Sequence, residues 1–330
     1  MKKEQVFEAW RRERKAIPIL FFPAASALGF KINDLVYQAS AQADAMKWVN
    51  AQYEVGTIVG MMDLSVEAEA FGSMVKLSEC EVPNVTNKLI ATPDDAKQLL
   101  IPVVGSKRTK IYPQAIHEVA TTIHDKPIIA GVIGPFSLAG RLMGMTEIMM
   151  NCYDEPEMVH IVLDKVKQFI IEYINEFKKA GANGILMAEP AAGLLSPTLC
   201  QEFSSDIVGA ICKEVKADDF IFIYHNCGNV LPLLKGIMTI GADAYHFGEA
   251  TDLVKVMAMV PSNTFILGNI SPSKLFQNGT PERIYEATTQ LLLSCWQYDH
   301  FILSSGCDIP PSAPIENIDS FFKAIHDFKK

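Results

Sequence analysis

The sequence predicts an α/β protein that folds as a (β/α)8 barrel, and three observations support this fold class. Eight short apolar segments recur along the 330-residue chain, and stretches with helical periodicity separate them. Most of these segments are apolar throughout, as expected of parallel strands that are covered on both faces. The length suits a barrel, which usually takes about 250 residues plus insertions. A doubly wound open sheet is the alternative fold.

The eight predicted strands are distributed along the whole chain. In chain order they are residues 17–22, 56–62, 126–134, 183–190, 219–225, 242–248, 264–270 and 300–306. The clearest helical pattern between them covers residues 156–181 and ends in two lysines and a glycine, which is typical of a helix C-terminus. Residues 63–125 are irregular, and we expect them to form an excursion over one end of a single barrel domain that spans residues 1–330.

Composition excludes several classes of function. A net charge of −9 argues against nucleic acid as a partner, because phosphate binding requires concentrated positive charge. Seven scattered cysteines do not indicate a disulfide framework and favour a reducing compartment. The N-terminal residues lack the apolar core of a signal peptide, and no stretch reaches the ~18 apolar residues of a membrane span. We therefore expect a soluble cytoplasmic protein with no membrane partner.

The ends of two predicted strands carry residues that could bind a metal. Active sites of (β/α)8 barrels lie at the carboxyl ends of the strands. The segment FIFIYHNCGNV (220–230) ends a strand with His225 and Cys227, which point to the same side because they are two residues apart. The eighth strand ends in SSGCDIPP and delivers Cys307 to the same mouth. One imidazole and two thiolates suit zinc and leave a fourth position open, as in catalytic sites. Ordinary packing of a histidine beside a buried cysteine is the alternative.

These residues carry a resemblance to a known family. YHNCGNV followed by GCDIPPSAPIENI resembles the His-x-Cys…Cys zinc motif of the methylcobamide:coenzyme M methyltransferases, which belong to the uroporphyrinogen decarboxylase superfamily of (β/α)8 barrels. Residues 63–85, 132–144, 187–197 and 267–272 are similar to further segments of that family and occur in the same order. The resemblance covers nearly the whole chain.

The resemblance implies a barrel of the uroporphyrinogen decarboxylase type and a zinc-dependent methyltransferase. Zinc held by His225, Cys227 and Cys307 would form the catalytic site. A corrinoid, either methylcobalamin or a corrinoid protein, and a small-molecule thiol such as coenzyme M would be the co-substrates. Glu249 follows the sixth strand, where related methyltransferases also carry an acidic residue, and it could be the fourth metal ligand. Alternatively, it caps the helix that begins near Thr251.

Four further polar residues lie on or just after predicted strands. Glu189, Asn269 and Asp63 are candidates for cofactor binding at the mouth. The two acids could instead bind loop amides, and Asn269 could shape its own loop. His246 is expected to be a hydrogen-bonded histidine of the core.

Arginine usage separates the branches of the superfamily. Uroporphyrinogen decarboxylases carry arginines after the first strand, where this chain reads FFPAASALG without a cation. Outside the N-terminal run the chain has only Arg108, Arg141 and Arg283, too few to anchor a substrate with many carboxylates. Decarboxylation of uroporphyrinogen is therefore disfavoured. Two alternatives stay open: a corrinoid methyltransferase with a different donor or acceptor (a methoxylated aromatic, a methylamine or another thiol), and a corrinoid- or tetrapyrrole-binding protein with a structural zinc.

Overall fold

The centre of the protein is a parallel sheet of seven strands that forms most of a barrel wall. The computed structural model describes residues 1–329. The strands of this sheet, in spatial order, are β1 (Ile58–Val59), β4 (Ile128–Ile133), β5 (Gly184–Ala188), β6 (Ile221–Asn226), β7 (Ala244–Phe247), β8 (Phe265–Ile270) and β9 (Phe301–Ser305). Every neighbouring pair is parallel. A separate antiparallel pair consists of β2 (Val75–Lys76) and β3 (Asn84–Val85).

Residues 16–21 close the barrel between β9 and β1. The Ile17 amide donates to the carbonyl of Leu303 at 2.9 Å, and the Gly56 amide donates to the carbonyl of Ala16 at 2.9 Å. The next amide, that of Ile19, donates to the hydroxyl of Ser305 at 3.0 Å instead of a carbonyl. Because a side chain interrupts the ladder, this predicted first strand is an extended segment and not a regular strand. The predicted (β/α)8 fold is confirmed.

Helices follow the strands along the chain and cover the barrel. They are α1 (Lys3–Glu13), α2 (Phe22–Leu28), α3 (Ile32–Tyr37), α4 (Ala39–Gln52), α5 (Val66–Ala70), α6 (Pro93–Gln98), α7 (Ile111–Ala120), α8 (Pro135–Met143), α9 (Met145–Asp154), α10 (Pro156–Ala180), α11 (Pro197–Cys200), α12 (Asp206–Val215), α13 (Leu234–Ile237), α14 (Leu253–Met259), α15 (Pro281–Cys295) and α16 (Ile315–Phe328). The predicted long helix is α10, and it ends at Gly181, whose φ of +99° favours glycine. Within residues 1–329 we find no helix that is both long and apolar enough to span a membrane.

The interior of the barrel is apolar towards the amino ends of the strands and polar at their carboxyl ends, which form the mouth. Alternate residues of a strand point to the same side, so Ile221, Ile223 and His225 of β6 form one inward series. Both isoleucines belong to the buried cluster that fills the barrel. At the amino ends of the strands, α1 covers this cluster, and the ring of Trp10 meets that of Phe265 edge-on with centroids 5.3 Å apart. As the last of these three residues of β6, His225 lies at the carboxyl end of the barrel.

The irregular residues 63–125 contain several small elements. They comprise α5, the β2–β3 pair, α6 and α7. Leu64, Val82 and Pro83, from the first part of this range, line a cavity at the barrel mouth. That the whole range forms one excursion stays a prediction.

Candidate metal and active site

The structure brings His225, Cys227 and Cys307 together at the carboxyl end of the barrel. One ligand atom from each of these residues lies within 4.8 Å of the other two. The Sγ of Cys307 is 3.4 Å from Nε2 of His225. Zinc bonds of about 2.3 Å to sulfur and 2.0–2.1 Å to nitrogen in a tetrahedron place such atoms about 3.5 Å apart. The donor set and its spacing therefore fit zinc.

Asn226 and Gly248 hold the loop that carries Cys227. The side-chain amide of Asn226 donates to the carbonyl of Glu189 at 2.8 Å, and its oxygen accepts from the Gly228 amide at 2.8 Å. A Cβ atom at Gly248 would stand only 2.5 Å from Cα of Cys227. The absence of a side chain at position 248 thus lets the two loops approach closely enough to aim Cys227 at His225.

The loop that carries Cys307 is anchored on both sides. The Gly306 amide donates to the carbonyl of Ile270 at 2.7 Å, and the Ile309 amide donates to the carbonyl of Ile19 at 3.0 Å. Pro310 and Pro311 follow and restrict the backbone further. These hydrogen bonds and prolines therefore restrict the loop that carries Cys307.

A hydrogen bond between the two cysteines favours ionisation of one of them. A hydrogen bond from the thiol of Cys307 lowers the pKa of Cys227 well below its ordinary value, and the neighbouring His225 adds to this effect. The same interaction, together with burial, raises the pKa of Cys307 above its ordinary value. The pair thus favours a single thiolate on Cys227, and a bound cation would favour the second deprotonation.

A chain of hydrogen bonds behind His225 sets its tautomer. The hydroxyl of Ser304 donates to the carbonyl of Ile17 at 2.7 Å, so it accepts from Nε2 of His246 at 2.8 Å. Burial holds the pKa of His246 well below its ordinary value, so this imidazole is neutral and its Nδ1 is an acceptor. Nδ1 of His225 lies 2.7 Å from that atom and must donate to it. Nε2 of His225, which faces Cys307, is therefore left with its lone pair free for a metal.

The cluster forms part of the wall of a small apolar cavity at the barrel mouth. The cavity has a volume of about 280 Å³. Its apolar lining includes Ile19, Phe22, Met62, Leu64, Val82 and Pro83. A ligand bound beside the cluster would therefore lie against a mainly apolar wall.

Two charged residues that the sequence did not mark as site residues also line this cavity. Arg141 comes from α8, and Asp308 directly follows Cys307. Both carboxylate oxygens of Asp308 are enclosed without a hydrogen-bond partner, and burial raises the pKa of this carboxyl well above its ordinary value. The position of Asp308 beside Cys307 is a signal that could have identified it. Arg141 lies within residues 132–144, which resemble the family, but nothing in that segment marks it as a residue of the cavity.

The two acids predicted to bind a cofactor, Glu189 and Asp63, contact other groups of the protein. Glu189 is fully buried, and its carboxylate accepts from the amides of Phe136 and Ser137 at 3.0 and 2.6 Å, at the start of α8. Burial raises the pKa of Glu189 to about 7. Asp63 is also buried, where it forms an ion pair with Arg108 and accepts from the Tyr112 hydroxyl at 2.7 Å. The structure therefore places neither carboxylate in the cavity.

Glu249 and Asn269 lie near the mouth but outside the cluster. The carboxylate of Glu249 is 3.5 Å from the ammonium of Lys274 and does not join the three ligand atoms. The side-chain amide of Asn269 donates to the carbonyls of Gly248 and Thr251 at 2.9 and 2.7 Å, and it thereby fixes the loop after β7. Metal ligation by Glu249 and cofactor contact by Asn269 stay predictions.

Sequence comparison identifies the family of this barrel. The family model described as uroporphyrinogen decarboxylase (URO-D) matches residues 5–328, and the chain therefore belongs to that family. Both decarboxylases and methyltransferases occur among its relatives.

Three similar proteins include enzymes of both kinds. The methylcobamide:CoM methyltransferase of Methanosarcina acetivorans is 25% identical, with 99% of this chain and 98% of that protein covered. The uroporphyrinogen decarboxylase of Coxiella burnetii is 27% identical, with coverage of 81% and 75%, respectively. A solved methyltransferase from Methanosarcina mazei superimposes with a TM-score of 0.85 at 21% identity, with 96% of this chain and 93% of that chain covered, and shows the same fold. The family and these relatives support an enzyme.

Proposed function

We propose that this chain is a methyltransferase that moves a methyl group between a corrinoid and a small thiol, with zinc held by His225, Cys227 and Cys307. The observation that carries the proposal is the convergence of these three ligand atoms on the wall of a small apolar cavity. The names of the methyltransferase relatives agree with it, since one of them acts on methylcobamide and CoM. A three-ligand set leaves one position for a substrate thiol.

Zinc would supply a positive charge that keeps the thiol of the acceptor in its nucleophilic thiolate form. The protein contributes orientation and a dry environment. His225 is presented by the end of β6 with Nε2 free, and the apolar cavity wall excludes water from the reacting sulfur. In the transfer the sulfur–carbon bond forms while the carbon–cobalt bond breaks, and the bonding electron pair stays with cobalt.

The corrinoid must approach from outside the cavity. A volume of about 280 Å³ lies at the lower end of small-molecule pockets, which span roughly 300–1,000 Å³. It accommodates a short thiol but not a macrocycle. The proposal therefore places the corrinoid, free or carried by a protein, across the rim of the mouth.

Metal analysis combined with a methyl-transfer assay tests this proposal. We expect about one zinc per chain in the purified protein, and thiol-dependent loss of methylcobalamin absorbance. Cys227→Ser and Cys307→Ser should each lose most of the zinc and of the activity, because each removes one of three protein ligands. Cys80→Ser is the matched control, since Cys80 is an exposed free cysteine and is not part of the cluster.

Each contrary result has a distinct meaning. Zinc that persists in both cysteine variants would refute the ligand assignment. Zinc that depends on these cysteines, without thiol-dependent demethylation, would redirect the search to other methyl donors or acceptors. Decarboxylation of uroporphyrinogen by the same preparation would favour the other branch of the family.

A further inference from the structure

We propose that Asp308 binds an amino group on the acceptor thiol, so that the cavity at the barrel mouth selects short amino thiols. This inference rests on the proposed function, because it concerns the molecule whose sulfur lies beside the three candidate metal ligands. Asp308 and those ligands line the same cavity. Zinc would bind the sulfur of the acceptor, and Asp308 would recognise its amino group.

The carboxylate of Asp308 lacks the partner that a buried acid usually has. Among the described residues neither of its oxygens has a hydrogen-bond partner, and both are enclosed. The amide of the next residue, Ile309, donates to the carbonyl of Ile19 at 3.0 Å and is therefore engaged elsewhere. Buried polar groups are normally paired, and a buried charge without a partner is costly. We therefore expect the partner of Asp308 to come from a ligand.

Two other buried acids at the barrel mouth show how such groups are satisfied within the protein. Glu189 accepts hydrogen bonds from the amides of Phe136 and Ser137 at 3.0 and 2.6 Å. Asp63 forms an ion pair with Arg108. Asp308 has no comparable donor, although it lines the cavity in which a ligand would bind.

The position of Asp308 indicates how far the amino group lies from the sulfur. Gly306 and Cys307 form a bend directly after β9, and both Cys307 and Asp308 line the cavity. Because consecutive Cα atoms are only about 3.8 Å apart, we expect the amino group to lie a few bonds from the sulfur. Arg141 also lines the cavity and would repel an ammonium group placed beside it. Both observations favour a short amino thiol held close to Asp308.

Binding must also move the side chain of Asp308. Its oxygens are enclosed, so an amino group can reach them only after the carboxylate turns towards the cavity. The ion pair would then form beside a mainly apolar wall, where a charge-assisted hydrogen bond is stronger than in water.

Binding measurements on the zinc-loaded full chain test this inference. The probes are cysteamine, which carries an amino group, and 2-mercaptoethanol, which carries a hydroxyl group in the same place. Calorimetry gives the two affinities, and metal analysis after each titration gives the zinc content. We expect the wild-type protein to bind cysteamine about 10- to 100-fold more tightly than 2-mercaptoethanol, as a charge-assisted hydrogen bond predicts.

Substitution of Asp308 should remove this preference. Asp308→Asn should lower the ratio of the two affinities by about 10-fold or more, because the amide keeps the shape of the side chain but not its charge. The amino group of cysteamine also acidifies its own thiol and can chelate zinc, and the ratio that remains in Asp308→Asn measures these two effects. Asp94→Asn, an exposed substitution on α6, is the matched control and should show the wild-type ratio.

A crystal structure of the zinc-loaded wild-type protein with cysteamine gives a second test that does not depend on the stability of a variant. We expect the amino nitrogen within about 3.2 Å of a carboxylate oxygen of Asp308. An amino nitrogen bound to zinc, or one that contacts no acid, would overturn the role of Asp308.

The outcomes separate this inference from the proposed function. Equal affinity of the wild type for the two thiols, or a preference for cysteamine that persists in Asp308→Asn, would overturn the role of Asp308, while methyl transfer to either thiol would leave the proposed function standing. A preference that Asp308→Asn abolishes supports the role even if methyl transfer is absent. In that case the proposed function fails, and the amino-group site remains.

Discussion

His246 determines which nitrogen of His225 is available to a metal. Its own proton is committed to Ser304, so its Nδ1 accepts the proton of His225. The carbonyl of His246 lies 3.1 Å from the same Nδ1 and supports that orientation. Partners of this kind fix the ring and raise the basicity of a ligating histidine. His246 would act on a bound metal through His225 and is therefore a positioning residue.

We expect His246→Phe to weaken zinc binding by about 10- to 100-fold, which is the usual cost of losing such a partner. The substitution keeps an aromatic ring in the buried position but removes the acceptor for His225. Competition with a chromophoric chelator gives the zinc affinity without reference to activity. His300→Phe is the matched control, since His300 is also buried but its Nε2 has no hydrogen-bond partner. An unchanged affinity in His246→Phe would contradict the role of His246.

At the scale of single residues, the sequence identifies those whose role follows from their position at the end of a strand. His225 and Cys227 were predictable because their spacing places both on one side of an extended chain, and Cys307 because it follows a strand. Glu189 also follows a strand, but it faces the start of α8, a contact between distant segments that the local sequence does not reveal. Arg141 could not be identified as a cavity residue, because that depends on how α8 is placed against the mouth.

At the scale of elements, a buried carboxyl joins α5 to β4. Glu67 accepts a hydrogen bond from the Ile133 amide at 3.1 Å through one oxygen, while its other oxygen is buried without a partner. Burial raises the pKa of Glu67 to about 7. Burial therefore favours the neutral acid of Glu67 and outweighs the hydrogen bond from Ile133, which by itself favours the carboxylate.

Stability should consequently depend on pH through Glu67. Its folded-state pKa lies above the unfolded value, so its contribution is complete below pH of about 4.5 and is lost as pH rises through about 7. The loss amounts to roughly 3 kcal/mol at most. We expect Glu67→Gln to be less sensitive to pH than the wild type between pH 5 and 8, as measured by urea unfolding. Glu172→Gln, an exposed substitution on α10, should retain the wild-type slope. Parallel curves for Glu67→Gln and the wild type would refute the assignment.

At the scale of the whole molecule, the barrel was predictable from alternation and length. The uninterrupted apolar runs identified seven strands of the sheet, since burial on both faces leaves a clear signal. The irregular hydrogen bonding by which the first segment closes the barrel could not be predicted. Residues 17–22 are as apolar as the strands, but they join the wall partly through the side chains of Ser304 and Ser305. Such mixed pairing has no periodic pattern in the sequence.

The small cavity also determines the order in which the proposed substrates can bind. A corrinoid that lies across the mouth would block entry to a space of about 280 Å³, so the thiol must enter first. Initial rates should therefore follow an ordered mechanism, with high methylcobalamin concentrations inhibiting competitively against the thiol. Rates that fit random addition, without inhibition by excess methylcobalamin, would contradict this order. The narrow mouth that suits the proposed thiol would thus also slow the reaction when methylcobalamin is in excess.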